Sequence, residues 1–328
     1  MAAQADTPLP LEAIGLAKRF GHGRGVENVS LSVPRGSITA FIGANGAGKS
    51  TTLRCILGLI RPDAGRVSLF GGPVSRKSRR LVGFLPEERG LAPRDRVRDV
   101  IAFHARLKGL RRRQALDAAD TLLRRVGLAE RGRDQVGSLS KGNAQRVQLL
   151  CAIAHAPKLL ILDEPLSGLD PVAQGDILAL FAEFRAGGGA ILFSTHSMAA
   201  AESLSDRVVM LADGRTVFEG PLDDAADRAP HGAMVVTTDG EALLGAARAV
   251  GGDAHPMATD ISCHEGEAVR WRVVLPAAVT HPALLRALAE HGAPILAFAP
   301  IKSDLEGAFW DLTSSSPPTD GVRRRRAA

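Results

Sequence analysis

The residues Gly43-Ala44-Asn45-Gly46-Ala47-Gly48-Lys49-Ser50 decide the fold. The β-rich run Ile38 to Ile42 stands before them and a helical pattern after them. In that context the pattern is a phosphate-binding loop between strand and helix rather than a Gly-rich turn. Glycines let backbone N–H groups turn inward and approach phosphates. The N-terminus of the following helix adds partial positive charge. In such a loop Lys49 is expected to reach the β- and γ-phosphates, and the Ser50 hydroxyl to bind Mg²⁺.

The partner of this loop is Leu159-Leu160-Ile161-Leu162-Asp163-Glu164. The apolar residues predict a strand buried on both faces, and its C-terminal end is where α/β sheets place ligands. Asp163 is the expected Mg²⁺ ligand, directly or through water. Glu164 is the expected base that orients the attacking water. A purely structural pair of carboxylates would not need an apolar run ending in both, downstream of a phosphate loop.

Working outward, short β-rich runs alternate with helical patterns up to about Gly220, which predicts an α/β domain on a largely parallel sheet. The clearest strands are Ile38 to Ile42, Leu159 to Leu162 and Ala190 to Ser194. Residues 97 to 127 hold two helical patterns and no strand. One runs Val97, Val100, Ile101, Phe103, Leu107; the other runs Leu116, Ala119, Leu122, Leu123, Val126. They predict a helical subdomain over about 90–155. Asp213-Gly214, between Val208–Leu211 and Thr216–Phe218, predicts a hairpin. Past Pro221 the expected order is a strand at 233–238, a helix at 241–250, strands near 257–263 and at 268–275, a helix at 281–291 and a strand at 294–299. That β-α-β-β-α-β order is the ferredoxin-like arrangement. The domains are thus 1–220, with the phosphate loop, and 221–313, a small α+β accessory domain closed by a short helix around 303–313. A basic tail, 314–328, is expected to be disordered.

Composition agrees. At roughly 150 residues per domain, the 328 residues make about two domains. A chain with 45% hydrophobic and 23% charged residues is neither disordered nor fibrous. No stretch approaches the ~20 consecutive apolar residues of a membrane span. Met1 to Asp6 have no basic segment leading into an apolar one, so no export signal is expected. Cys55, Cys151 and Cys263 have no metal or redox spacing and fit a reducing cytosol. Of the net charge of +6, Arg323 to Arg326 supply four, leaving +2 on the other 324 residues. The tail is expected to be solvated, the alternative being contact with phosphates or anionic lipid. Arg76 to Arg80 and Arg111 to Arg113 read as solvated faces. Aromatic residues make up 4% of the chain and tyrosine is absent, so no stacking platform for single strands, and no nucleic-acid partner, is expected.

Further stretches fall at set places. Leu139-Ser140-Lys141-Gly142-Asn143 precedes a helical pattern, and Ser140 with the Gly142 backbone would form an anion-binding helix start. Ser167-Gly168-Leu169-Asp170 follows the carboxylate pair, Ser194-Thr195-His196 ends a strand, and Phe20 stands 23 residues before Gly43. With these motifs the chain resembles, over roughly residues 9 to 220, the ATP-binding subunits of ABC transporters. The resemblance implies an ATP hydrolase that works as a dimer around two MgATP. It implies ATP contacts from Gly43, Asn45, Gly46, Ala47, Gly48, Lys49, Ser50 and Thr51, with Phe20 stacked on adenine. Ser140 and Gly142 would meet the ATP held by the other subunit. Lys49, Glu164 and His196 would serve the reaction, His196 at the γ-phosphate, and Ser50, Asp163 and Glu87 would hold Mg²⁺. The family pattern is departed from at Lys141 and Asn143, and at Glu87, where the family usually has glutamine. A carboxylate there remains a hard-cation ligand but adds negative charge beside ATP.

Glu87-Glu88-Arg89-Gly90, the Ser140 to Asn143 signature and a ferredoxin-like C-terminal domain ending in Ser303-Asp304-Leu305-Glu306-Gly307-Ala308-Phe309-Trp310 resemble one branch. These are the sodium-extrusion and drug-resistance ATPases that pair with ABC-2-type permeases. The implied role is a peripheral subunit on the cytoplasmic face of the cell membrane, paired with itself or a second ATPase subunit and driving a separate permease that sets the cargo. The alternative is a soluble ABC-type ATPase of translation or DNA maintenance. The first kind carries two cassettes on one chain, and this chain has a single phosphate loop. The second separates the two motifs by long coiled coils, whereas here 114 residues separate Lys49 from Asp163. For 221–313 a docking or dimerisation unit is expected ahead of a small-ligand site, and Cys263-His264 is too little for a metal.

Overall fold

The computed structural model describes residues 8–21, 25–88, 90–228, 231–263, 266–276, 278–301 and 305–314. Met1 to Asp6, Arg89, His264, Ser303, Asp304 and the tail with Arg323 to Arg326 lie outside the described residues, as does the side chain of Cys263. Two units divide the chain after Leu222.

In the first unit, β1 (Leu11–Arg19) and β2 (Gly25–Val33) lead to β3 (Ile38–Gly43) and α1 (Lys49–Ile56). Then come β4 (Ala64–Leu69), β5 (Gly72–Pro73), α2 (Arg76–Arg79) and β6 (Val82–Leu85). The helical block holds α3 (Val97–Leu107), α4 (Arg112–Arg125) and α5 (Lys141–Ile153). After it run β7 (Leu159–Asp163), α6 (Pro171–Ala186), β8 (Ala190–Thr195), α7 (Met198–Leu204) and the hairpin of β9 (Arg207–Ala212) and β10 (Arg215–Pro221). The short α8 (Leu222–Ala226) starts at the division.

The sheet is ten-stranded, in the order β5-β4-β1-β2-β10-β9-β3-β8-β7-β6. Its β9-β3-β8-β7-β6 part is parallel, and β1 pairs antiparallel with β2 and β4. Strands β3, β7 and β8 are buried at every position, as near-continuous apolar runs must be when helices cover both faces of a parallel sheet. The register sets the site. Ser194 stands beside Phe41 on one side and Asp163 on the other, so β3, β8 and β7 end at one level. The hairpin turn has positive φ at both Asp213 and Gly214, 46° and 75°, the twist a tight antiparallel turn requires.

In the helical block, Val97, Val100, Ile101 and Ala105 of α3 face inward with Ala115, Ala119 and Leu123 of α4. Arg98 grips Asp120 with two bonds, 2.5 and 2.6 Å, tying α3 to α4. Phe103 and Leu107, read above as part of the same apolar stripe, are exposed instead, at 54% and 63%. The stripe that packs follows 97, 100, 101 and 105; at 100° per residue Phe103 turns off it, whereas Leu107 stands within about 20° of Val100 and is exposed as the last residue of α3.

The second unit runs β11 (Gly232–Thr237), α9 (Gly240–Ala249), β12 (Asp253–Cys263), β13 (Gly266–Val274), α10 (His281–Glu290), β14 (Ile295–Pro300) and α11 (Leu305–Ser314). Its sheet order, β12-β13-β11-β14 with antiparallel pairs, is that of a split β-α-β fold. Helices α9 and α10 cover it with Leu243, Ala246, Ala247, Leu284, Ala287 and Leu288 over Val235 and Val273. β12 begins at Asp253, earlier than expected. It is an edge strand, where Pro256 is tolerated, and its register shifts between Pro256 and Asp260.

Candidate functional site

Past β3 the chain turns through the phosphate loop into α1. Gly48 has φ +108°, and a Cβ there would lie 2.4 Å from Val26 Cγ1, so only glycine fits. The Lys49 ammonium donates to Gly43 O at 2.6 Å and Ala44 O at 3.3 Å. It is 7% exposed. Burial pushes it below the ordinary lysine range, while the carboxylates of Glu164, Asp163 and Glu87 pull the other way. Glu164 Oε1 lies 3.9 Å from Nζ.

At the neighbouring strand ends, the Ser194 hydroxyl donates to Asp163 Oδ1 at 2.5 Å and accepts from the Glu164 amide at 3.0 Å. Glu164 adopts φ +48°, a left-handed conformation rare for a residue with a side chain. Its Oε1 accepts from His196 Nδ1 at 2.9 Å, which assigns the proton to Nδ1 because a carboxylate only accepts.

A cavity of about 330 Å³ collects Ala44, Asn45, Gly46, Gly48, Lys49, Ser50, Thr51, Glu87, Asp163 and Glu164. Gly43 joins through its carbonyl, His196 through Glu164, and Ala47 closes the loop by donating its amide to Ala44 O at 3.1 Å. Three of the expected residues stand apart. Phe20 is 43% exposed, with the Lys18 ammonium 5.9 Å from its ring centre, and does not line the cavity. Ser140 caps α5 by accepting from the Asn143 amide at 3.3 Å, and neither it nor Gly142 lines the cavity. A larger cavity, about 610 Å³, opens between α4, α5 and α6 and holds none of these residues, so size does not mark the site here.

Sequence reasoning missed two groups. The bridging role of Ser194 depends on register, although its place in Ser194-Thr195-His196 was the available signal. Gln148 on α5 is 4% exposed and donates to Pro86 O and Glu88 O on either side of Glu87. A glutamine inside an apolar helical run was its only trace. Asp170 caps α6 by accepting from the Ala173 amide, which with burial opposing holds its carboxyl below the usual range.

This loop, strand-end carboxylate pair and histidine fit what comparison with known proteins finds. The sequence profile described as ABC transporter matches residues 26–167. The uncharacterized ABC transporter ATP-binding protein YhaQ of Bacillus subtilis is 41% identical over 209 residues, 64% of this chain and 70% of that protein. The chain belongs to the ABC transporter family. It is an ATP-binding, energy-coupling subunit, and it hydrolyses ATP. The linearmycin resistance ATP-binding protein LnrL of Bacillus subtilis is 30% identical over 312 residues, 92% of this chain and 98% of its own. The methionine import ATP-binding protein MetN of Mesorhizobium japonicum is 38% identical over 217 residues, 64% of this chain and 60% of its own. A solved structure of an ATP-binding subunit of an ABC transporter superposes with a TM-score of 0.62 at 35% identity, covering 66% of this chain and 92% of the other.

Proposed function

We propose that this subunit powers an exporter: two ATPase subunits close around two MgATP and drive a separate permease, of the ABC-2 type, from the cytoplasmic face of the membrane. The observation that carries this is how the signature stands to the cavity. Lys49, Ser50, Glu87, Asp163 and Glu164 share it, while Ser140 and Gly142 lie outside. At Gly142 a Cβ would meet nothing closer than Asp170 Oδ2 at 3.7 Å, an ordinary contact. Its own chain thus leaves room for a side chain, and in the proposed dimer that room faces the nucleotide of a second subunit. Among the described residues no helix is long and apolar enough to cross a membrane; the proposal gives the cargo path to a separate permease. Export is the reading we draw from LnrL, a resistance protein whose match covers 92% of this chain and so reaches into the second unit.

The donor set fits magnesium. Ser50, Asp163 and Glu87 bring hard oxygen donors to one cavity. Among the described residues no group of three or more His, Cys, Asp and Glu could hold a metal alone. Magnesium characteristically binds through one or two carboxylates together with phosphates and water. When bound, the ion supplies positive charge beside the phosphates. Lys49 adds a second positive charge, Glu164 takes the proton of the attacking water, and His196 holds the Glu164 carboxylate in place. Phe20, 23 residues before Gly43 and 43% exposed, is the aromatic side chain left free to stack on the base.

Glu164→Gln keeps the shape of the side chain and removes the proton acceptor. Turnover should fall by about 10²- to 10⁴-fold with ATP still bound. Recovered in that form from mildly solubilised membranes, the subunit should bring one multi-span permease at about two ATPase chains per transporter. Recovery only in the soluble fraction, with ribosomes or DNA-repair proteins, would place it among soluble ABC ATPases instead.

A further inference from the structure

Gln148 interrupts the apolar run Val147 to Ala152 on α5, and at 4% exposure its amide is shut away from water. A buried amide needs partners, and of its two polar atoms the nitrogen has them while Oε1 is buried without one. Here Nε2 donates to Pro86 O at 3.1 Å and to Glu88 O at 3.2 Å. Carbonyls only accept, so the nitrogen must face the loop and the amide has one orientation. The two carbonyls stand on either side of Glu87, whose side chain lines the nucleotide cavity; Gln148 itself does not. The ladder between β6 and β7 ends at the pair Leu85 and Leu162. Pro86 has no N–H to prolong it. Beyond that pair, the loop is held by the side chain of Gln148.

We propose that Gln148 is a positioning residue for Glu87: it clamps the backbone on both sides and so presents the Glu87 carboxylate to the metal side of the site. This rests on the role given to Glu87 above. The clamp also joins two parts of the chemistry. Gln148 lies eight residues after Ser140 on one continuous helix, about 12 Å along it at 1.5 Å per residue. Arg146 of the same helix pairs with Asp176 of α6 at 3.0 Å. A displacement of residues 86–88 is therefore passed along α5 to the Ser140 end, the part that meets a second subunit's nucleotide.

Gln148→Met keeps volume and burial but has no N–H to give. In the full chain, Mn²⁺ binding in the presence of a non-hydrolysable ATP analogue is followed by electron paramagnetic resonance, beside the Mg²⁺ dependence of turnover. Half-saturation by metal should rise about 10-fold, the scale of lost support behind a ligand. Binding of the analogue without metal should stay within about two-fold. Glu87→Ala should raise metal half-saturation similarly, and the double variant should go no further, because residues acting through one another are not additive. Additive effects, or unchanged half-saturation in Gln148→Met, would overturn the clamp. If Glu87→Ala leaves metal binding unchanged, the role of Glu87 fails and the clamp falls with it. If Glu87→Ala acts and Gln148→Met does not, the clamp alone falls. Should Gln148→Met not fold, Gln148→Asn replaces it with the same expectations, since its shorter arm cannot span both carbonyls.

Discussion

The Ser194 hydroxyl donates to the Asp163 carboxylate and accepts from the Glu164 amide, so one fully buried oxygen fixes both acidic groups. The second bond matters more than its length suggests. Glu164 sits at φ +48°, a conformation that costs roughly 1 kcal/mol or more and persists only where surrounding contacts impose it. Ser194→Ala would leave a buried N–H and one carboxylate oxygen without this partner. Leaving a buried polar group unsatisfied costs about 1–3 kcal/mol. The variant should melt earlier and, with Glu164 free to relax toward ordinary backbone angles, turn over ATP at least about 10-fold more slowly. Urea unfolding and an ATPase assay on the same preparation test this together. Stability lost with turnover intact would separate Ser194 from the chemistry.

Helix α5 carries the signature at one end and the Gln148 clamp further along, and glycine is an odd choice for its first turn. Gly142 is helical, and in a helix glycine is less stable than alanine by roughly 0.5–1 kcal/mol. A Cβ there finds only ordinary contacts, with Asp170, Ala173 and Leu169 at 3.7–3.8 Å. Gly142→Ala should therefore leave the melting temperature unchanged or slightly higher, while turnover drops by about 10-fold or more because the second subunit's nucleotide can no longer come close. A drop in melting temperature of several degrees would mean that glycine serves the fold instead. The elements themselves were readable in the sequence. Runs such as Leu159 to Leu162 and the loop from Gly43 to Ser50 carry their structure locally, and the alternation past Pro221 suffices for the order of β11 to β14. What could not be read is set by register and packing between distant segments. Ser194 meets Asp163 only because β7 and β8 align, and Gln148 meets Pro86 across 62 residues of chain. Phe103 and Leu107 are the converse: both belong to the apolar pattern of α3, yet Phe103 turns away from the packed stripe and Leu107 is exposed at the helix end.

Across the first unit as a whole, acid should be the condition that exposes a hidden instability. Its thiols offer no comparable handle: burial pushes Cys55 up and Cys151 up to about 12, so neither forms a reactive thiolate near neutrality. His155, just past the end of α5, is different. Burial, with the Lys108 ammonium second, pushes its imidazole down to about 4, and the Val82 backbone offsets this only in part. Lys108 is itself fixed, donating to Arg79 O and Val82 O at 2.9 and 2.8 Å. In the unfolded chain the imidazole titrates near its ordinary value of about 6.5. Between those two values the unfolded chain binds a proton that the native protein refuses, so stability falls as pH falls. The contribution is complete above about pH 6.5 and is lost progressively toward pH 4, below which nothing more is lost; the loss is roughly 3 kcal/mol in full and roughly 2–3 kcal/mol at pH 4.5. His155→Leu lacks this proton site but keeps an apolar side chain in the same place. Urea midpoints for both proteins at pH 7.5 and 4.5 isolate the effect, since carboxylates elsewhere titrate alike in the two. The wild type should lose more stability on acidification than the variant, by roughly 2–3 kcal/mol. Equal losses would mean that His155 is protonated in the folded state at pH 4.5, and the acid sensitivity of the unit would then have to come from its carboxylates.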